Sequence, residues 1–376
     1  MARLLVLSFS PIGSDPRVMR QLRALTGEHE LTVAGHAPAP PEVDVEFIEL
    51  QAPPRSRAGR IGLALRLLAR RYEAQYWSQA PVRQALAALR GRRFDLVLAN
   101  DVAAVPLALR IAAGAPVLFD AHEYSPREFE DSLRWRVFRR GYVEHLCRAY
   151  LPAVSGSMTV CEGIAQAWSA HYGLHPEVVY NSPARQDLPL RPPQPGRIRL
   201  VHHGIALRAR RIERTLAMMD LLDGRFTLDL MLVDFDPVYL QELRRRAASD
   251  PRIRLRDPVP MERIAEAIND YDLGVFLLPP VNFNYRHALP NKFFEFIQAR
   301  LGVAIGPSPE MQSLVERWDL GVVAEDFEPE SLAARLNALR DDDVLRFKRN
   351  AERAAQVLHS GQVSLQLRAA VARALP

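Results

Sequence analysis

Two series of short apolar runs, each run followed by a stretch of helical spacing, lie on either side of a proline-rich segment at 183–197. The first series has runs at 4–7, 31–34, 43–50, 94–99, 117–119, 158–160 and 177–180. The second has them at 198–202, 228–233, 252–255, 273–277, 303–306 and 321–323. Most are continuously apolar, as a strand covered on both faces requires, and the helices between them predict parallel sheets. The segment PARQDLPLRPPQPGRI has no period and reads as a linker. It divides a first domain, 1–182, from a second, 198–358, and leaves a last helix in 359–376 to close the fold or reach back to the first domain. At 376 residues the chain exceeds what one core usually supports. Two αβ series joined by a hinge put a cleft between their strand ends, suited to a two-part substrate.

Composition narrows the compartment more than the chemistry. Cys147 and Cys161 are too few for a disulfide scaffold and lack metal-site spacing, so they read as reduced and structural. MARLLVLSF reads as a first strand rather than a signal peptide, and no apolar run reaches transmembrane length. A cytoplasmic protein is expected. The net charge of +5 suits an anionic substrate, a membrane surface or nucleic acid and selects none of them. No nucleic-acid motif accompanies the arginines. The basic stretches 55–89 and 134–151 can be read as buried helices with a wet face or as peripheral contacts with an anionic membrane.

Candidate site residues gather at strand ends, where open parallel sheets bind ligands. After the first strand, SPIGSDPRV supplies Gly13, a helix cap and Arg17 in the first helical turn; a single glycine is not the dinucleotide fingerprint. After the run at 117–119 comes DAHEYSP, with Asp120, His122 and Glu123, where an imidazole oriented by a carboxylate can hold a hydroxyl or phosphate. After the strand at 198–202, Gly204 permits close backbone approach while Arg208 and Arg210 crowd a helix entry suited to a diphosphate. In HALPNKFFEFIQARLGVAIG, 287–306, Phe293, Phe294, Ile297 and Leu301 can face a core. Asn291 and Lys292 occupy the first turn, where free amides attract an anion, and Glu295 can hold a hydroxylated group. Asp234-Phe235-Asp236 reads as a capped turn rather than a metal site.

The segments SDPRV, FDAHE, VVYNSP, VHHGIALRARRIE, YDLGVFLLP, LPNKFFEFIQARLGVAIG and LGVVAEDFEPESLAARL, in that order, resemble the retaining family 4 glycosyltransferases of the GT-B fold. The resemblance implies two Rossmann-like domains facing each other across a cleft, the first for the acceptor and the second for a nucleotide diphosphate sugar. No cofactor and no metal are implied. Glu295 matches the second acid of the family's Glu-seven-residues-Glu motif, which holds the ribose, and Arg210 the basic residue at the diphosphate. Gly204 matches the glycine of that loop, His122 the histidine near the reacting sugar, and Gly13 the first-loop glycine near the donor phosphates. Lys292 or Arg208 would supply the second positive charge, with Asn291 beside the donor. Arg17, Asp120, Glu123 and His287 are candidate contacts for the donor sugar or the acceptor. His287 stands where the motif has its first acid. The implied partners are a nucleotide sugar and a glycan or lipid-linked acceptor, in polysaccharide or glycolipid synthesis at the inner face of the membrane. A nucleotide-sugar 2-epimerase and a non-catalytic nucleotide-sugar or glycan-binding protein are the alternative readings.

Overall fold

The apolar run at the N-terminus becomes the strand β1 (Arg3–Pro11), with Leu4, Leu5, Val6 and Leu7 all buried. Asp15 then caps the helix Pro16–Leu25 through the backbone N–H groups of Arg17 (3.0 Å) and Val18 (3.2 Å), with proline at its first position. A computed structural model of the chain describes residues 1–51 and 56–375. Arg55, where the basic helical stretch begins in the sequence, lies outside them. The described chain divides into two units: Met1–Tyr180 with Asn282–Asn284 and Val363–Pro376, and Asn181–Val281 with Tyr285–Gln362.

The first unit holds β1, β2 (Glu30–His36), β3 (Glu46–Glu49), β4 (Leu96–Asn100), β5 (Val117–Ala121), β6 (Gly156–Thr159) and β7 (Glu177–Val178). They form one sheet in the order β3-β2-β1-β4-β5-β6-β7, every pair parallel. The order reverses between β1 and β4, which makes their carboxyl ends the switch point of a doubly wound sheet. The last helix, Ser360–Ala374, completes this unit's core with Leu367, Ala370 and Val371. Arg368 donates to the Ala24 carbonyl at 2.7 Å.

The second unit repeats the plan with β8 (Ile198–Ile205), β9 (Phe226–Val233), β10 (Ile253–Arg256), β11 (Leu273–Phe276), β12 (Gly302–Ile305) and β13 (Gly321–Val323), ordered β10-β9-β8-β11-β12-β13 and all parallel. Its switch point lies between β8 and β11. The segment 183–197 has no regular structure but is tied to this unit. The Gln186 N–H donates to Gln298 Oε1 at 2.9 Å, and Arg191 to Asn269 Oδ1 at 2.9 Å.

The helix Asn291–Gln298 is buried on every side from Lys292 onward, Glu295 included, rather than along one stripe. Phe296 lies across Gly274 of β11 so closely that a Cβ there would stand 2.3 Å from its ring. Beneath β11, Lys348 and Asp272 are both fully buried. Arg199 donates to Asp272 through Nε at 3.1 Å and Nη2 at 3.3 Å, and Lys348 Nζ donates to the Tyr271 carbonyl. Asp236 caps the helix Pro237–Ala247 by accepting from the Tyr239 N–H at 3.0 Å, so the 234–236 sequence is a capped turn.

Candidate active site

In the second unit the switch point is built of histidines and cations with very little acid. His202, near the carboxyl end of β8, donates from Nδ1 to the Val275 carbonyl of β11 at 2.9 Å. That bond fixes the tautomer, so Nε2 accepts from Lys292 Nζ at 3.3 Å. Lys292 lies 4.1 Å from the centroid of the Phe276 ring and is 5% exposed. Gly204 follows with φ +125°, and a Cβ on it would meet Arg210 Nη1 at 3.1 Å and Lys292 Nζ at 3.4 Å. A side chain at 204 would therefore push into the two cations. Across from them, His203 Nε2 stands 3.4 Å from Glu295 Oε2, and Glu295 is 4% exposed.

The electrostatics follow from burial. Loss of hydration, then repulsion from Arg210, push the Lys292 ammonium well below the usual lysine value, and Glu295 offsets them only in part. Burial and the Lys292 charge hold His202 and His203 well below the ordinary imidazole value, so both rings are neutral. Burial also lowers Arg210. A buried lysine and a half-buried arginine beside an open glycine backbone gain from an anion that enters. Asn291, in the first turn of the helix that carries Lys292, has a buried Oδ1 with no hydrogen-bond partner among the described residues.

His287 reaches the same sheet end by a different route. Its Nδ1 is 2.9 Å from Glu310 Oε1, in the first turn of the helix Pro309–Trp318 after β12. Both side chains are largely buried, 18% and 11% exposed.

The first unit gathers a second polar cluster at the ends of β4 and β5. Arg17 clamps Asp120 with its Nε (2.7 Å) and Nη2, and its Nη1 donates to the Val179 carbonyl at 3.0 Å. Gln21 donates to Asn100 Oδ1 at 2.8 Å and to Asp120. Burial opposes the charge on Asp120, but Arg17 and His122 outweigh it and hold its carboxyl well below the usual range. His122 Nε2 lies 3.2 Å from Asn100 Oδ1, and Nδ1 lies 3.6 Å from Asp101 Oδ2. Burial works against a charged ring at 122, yet the Asp101 and Asp120 carboxylates prevail and raise its pKa. Glu123 remains solvent-accessible but sits among enough protein, and near enough to Asp101, that its carboxyl is pushed up to about 7. Its Oε2 accepts from Asn284 Nδ2 at 3.2 Å.

Residues 13–182 match the sequence model of Glycosyltransferase Family 4. The fold matches solved structures over nearly the whole chain. HepE from Anabaena, in complex with UDP-glucose, aligns with a TM-score of 0.70 at 15% identity, over 99% of this chain and 100% of HepE. Sucrose-phosphate synthase from Thermosynechococcus elongatus aligns with a TM-score of 0.72 at 14% identity, over 99% of each chain. The chain has the GT-B fold, and its residues 13–182 are similar to Glycosyltransferase Family 4. WaaG, a glycosyltransferase involved in lipopolysaccharide biosynthesis, aligns with a TM-score of 0.61 at 14% identity, over 97% of this chain and 98% of WaaG. No curated protein matches this chain by sequence.

The second unit brings Gly204, Arg210, Asn291, Lys292 and Glu295 to one sheet end. Arg208 goes elsewhere. It lies over the Tyr239 ring at 5.0 Å and donates to Glu242 at 2.7 Å, with its side chain 52% exposed, so it is committed to surface acids and not to the Lys292 pocket. In the first unit, Arg17 and Asp120 neutralise each other in the interior, so neither is an open charge for a ligand; they position His122. The Gly13 N–H is already donated to the Pro38 carbonyl at 2.9 Å, and a Cβ at 13 would strike the Ala39 carbonyl oxygen at 2.4 Å. That glycine serves the close packing of the 38–39 backbone. His202, His203, Gln21, Asn100 and Glu310 are site residues that sequence reasoning passes over. The one local signal is the histidine pair ending the apolar run of β8.

Proposed function

We propose that the protein transfers a sugar, with retention at the anomeric carbon, from a nucleotide diphosphate sugar to a glycan or lipid-linked acceptor in polysaccharide or glycolipid synthesis. The observation that carries the reading is the convergence of buried Lys292 and half-buried Arg210 on the bare backbone of Gly204, with Glu295 nearby. It fits a diphosphate beside a ribose whose hydroxyls Glu295 accepts. HepE, which shares the fold, has been solved with UDP-glucose.

In this scheme the acceptor hydroxyl oxygen bonds to the anomeric carbon on the face the diphosphate leaves. The carbon–oxygen bond to phosphate breaks with its electron pair going to the diphosphate, and the acceptor proton passes to a leaving phosphate oxygen. Lys292, Arg210 and the first-turn amides of Asn291–Gln298 stabilise the charge that develops. Those donors are fixed before the reaction, so no reorganisation is needed as the bond breaks. His122, oriented by Asn100 and the carboxylates of Asp101 and Asp120, holds the transferred sugar. His287, braced by Glu310, lies at the donor-sugar end in place of an acid. None of these steps requires a metal.

The test is calorimetric titration of the purified protein with a panel of nucleoside diphosphates and nucleotide sugars, followed by transfer to lipid and glycan extracts with NMR of the product's anomeric proton. The expected result is binding that Glu295→Ala weakens and a product with the donor's anomeric configuration. An inverted product removes the retaining scheme. A free epimerised sugar formed without acceptor assigns the protein to 2-epimerases instead, and binding with no turnover across the panel makes it a binding protein.

A further inference from the structure

We propose that the second unit carries a binding groove for an acidic saccharide on an uncovered face of its sheet, apart from the Lys292 pocket. The sequence of β10, Ile253-Arg254-Leu255-Arg256, alternates apolar and basic, whereas a parallel strand covered on both faces is apolar throughout. The helices Ile212–Leu221 and Pro237–Ala247 explain the alternation, since both pack on the face that holds Ile198, Leu200, Leu228, Leu230 and Ile253. The opposite face presents Arg199 level with Thr227, and Asp229 level with Arg254. With Arg197, Arg256 and the turn after the helix Ile264–Ile268, they line a groove of about 240 Å³. A single water needs only roughly 10–15 Å³, so the space suits a molecule rather than a lone ion. Arg197 precedes β8 and Tyr271 precedes β11, so the groove opens toward the amino ends of the strands, while Gly204 and Lys292 gather at the carboxyl ends.

Charge pairing within the groove leaves two cations over. Arg199 is committed to Asp272, and Arg256 donates from Nε to Asp229 Oδ2 at 2.7 Å. Asp270 is held by Arg191 at 3.0 Å. Arg197 and Arg254 are exposed, and neither guanidinium has a hydrogen bond or ion pair among the described residues. Two unpaired guanidinium forks select a ligand with acidic groups. The floor between them selects against a bare polyanion. Asp229 is 7% exposed, and the Tyr271 hydroxyl donates to the same Oδ2 at 2.6 Å, which leaves Oδ1 to accept from a ligand. A polyphosphate brings no donor for that oxygen and is repelled by it. An acidic saccharide brings hydroxyls for Asp229 and Thr227 and carboxylates for Arg197 and Arg254. No large aliphatic side chain lines the groove, which disfavours an apolar peptide. The inference does not depend on the donor-site reading, since no lining residue contributes to the Lys292 pocket.

Fluorescence anisotropy of a labelled oligogalacturonate with the full chain tests it, with a neutral malto-oligosaccharide of the same length as control. The oligogalacturonate is expected to bind about tenfold or more tighter than the neutral chain, and its affinity to fall as salt is raised. The double variant Arg197→Gln/Arg254→Gln is expected to lose about tenfold or more of that affinity. It should keep its thermal melting point and its nucleoside diphosphate affinity, because both side chains are exposed and unpaired. Arg244→Gln/Arg245→Gln, two exposed arginines on the helix Pro237–Ala247, should leave binding unchanged. Absence of oligogalacturonate binding overturns the proposal, as does equal binding of the neutral chain or undiminished binding by the 197/254 variant. An equal loss in the 244/245 variant would make the attraction one of overall charge and overturn it too. Inorganic pyrophosphate bound as tightly, and lost in the 197/254 variant, would make the groove a simple anion site. An oligouridylate bound more tightly and lost in that variant would make it a nucleic-acid contact, and either result overturns the assignment.

Discussion

Lys292 is the residue whose position is hardest to explain without a ligand. A lysine can normally extend its ammonium into water, yet here burial and Arg210 make the charge costly. An entering diphosphate would restore the charge by pairing with it. Lys292→Met is therefore expected to weaken nucleoside diphosphate binding by about 1.5–3 kcal/mol, roughly ten- to a hundredfold, in calorimetric titrations. The sign of the pH effect follows. Lys292 has a depressed pKa in the free protein and a higher one beside the anion, so binding takes up a proton. Affinity falls as pH rises above the free-state value, and it stops falling when the bound lysine itself loses its proton. Titrations in buffers of different protonation enthalpy should show net proton uptake in the natural chain and none in Lys292→Met. A second residue-scale outcome concerns His287. Glu310→Gln should slow transfer while leaving diphosphate affinity unchanged, because it loosens the imidazole at 287 and touches none of the cations. Equal losses in both measurements would place Glu310 in general packing.

Which of these residues the sequence discloses depends on whether their geometry is local. Gly204, Asn291, Lys292 and Glu295 are legible because a glycine after a strand and the first turn of a helix carry their meaning with them. The pairs His202 with Val275, His287 with Glu310 and Arg17 with Asp120 form only once the strand order is set, and spacing along the chain does not contain that order. Arg208 shows the same limit from the other side. It is two residues from Arg210, but the turn Arg208–Arg210 sends one guanidinium to Glu242 and the other to Gly204.

At the scale of elements, the helix Asn291–Gln298 is held by shape as much as by apolarity. Its amphipathic spacing announces a buried face, but the burial of Phe296 against Gly274 depends on a missing side chain on β11. Gly274→Ala should cost about 1–3 kcal/mol by overpacking, measured by denaturant unfolding of the second unit. Adding Phe296→Leu to it should recover part of the loss, because the smaller side chain gives up the space the methyl group needs. Two separate cavities or clashes would instead give additive losses. The neighbouring helix Asp341–Ala355 is held by charge. Burial pushes the Lys348 ammonium down to about 8 despite the nearby Asp272 carboxylate. Replacing Asp272 with Ala would leave Lys348 and Arg199 without their acid, at an expected cost of about 3–5 kcal/mol. Neither device can be read from periodicity, since an aspartate just before an apolar strand ordinarily suggests a turn.

At the scale of the molecule, the alternation of strand and helix is legible throughout because each βα step is a local pattern repeated. What the pattern leaves open is where the last helix belongs. Leu367, Ala370 and Val371 complete the first unit's core. A chain ended after Gln362 should therefore show a lowered melting transition for the first unit. The second unit should keep its own transition, still raised by nucleoside diphosphate if the donor reading holds. Differential scanning calorimetry with and without UDP separates the two effects.

That closing helix also sets an order of events during synthesis. The ribosome finishes all strands of the first sheet long before it makes residues 363–375, so the N-terminal unit emerges first yet acquires its final core side chains last. The unit made second has its whole sheet in hand while the first still lacks Leu367, Ala370 and Val371 from its core. A nascent chain of this protein thus exposes its earliest-made apolar surface for the longest time. A chaperone that shields the N-terminal half until release of the C-terminus would act on that interval, and a premature stop would leave the shielded half permanently open.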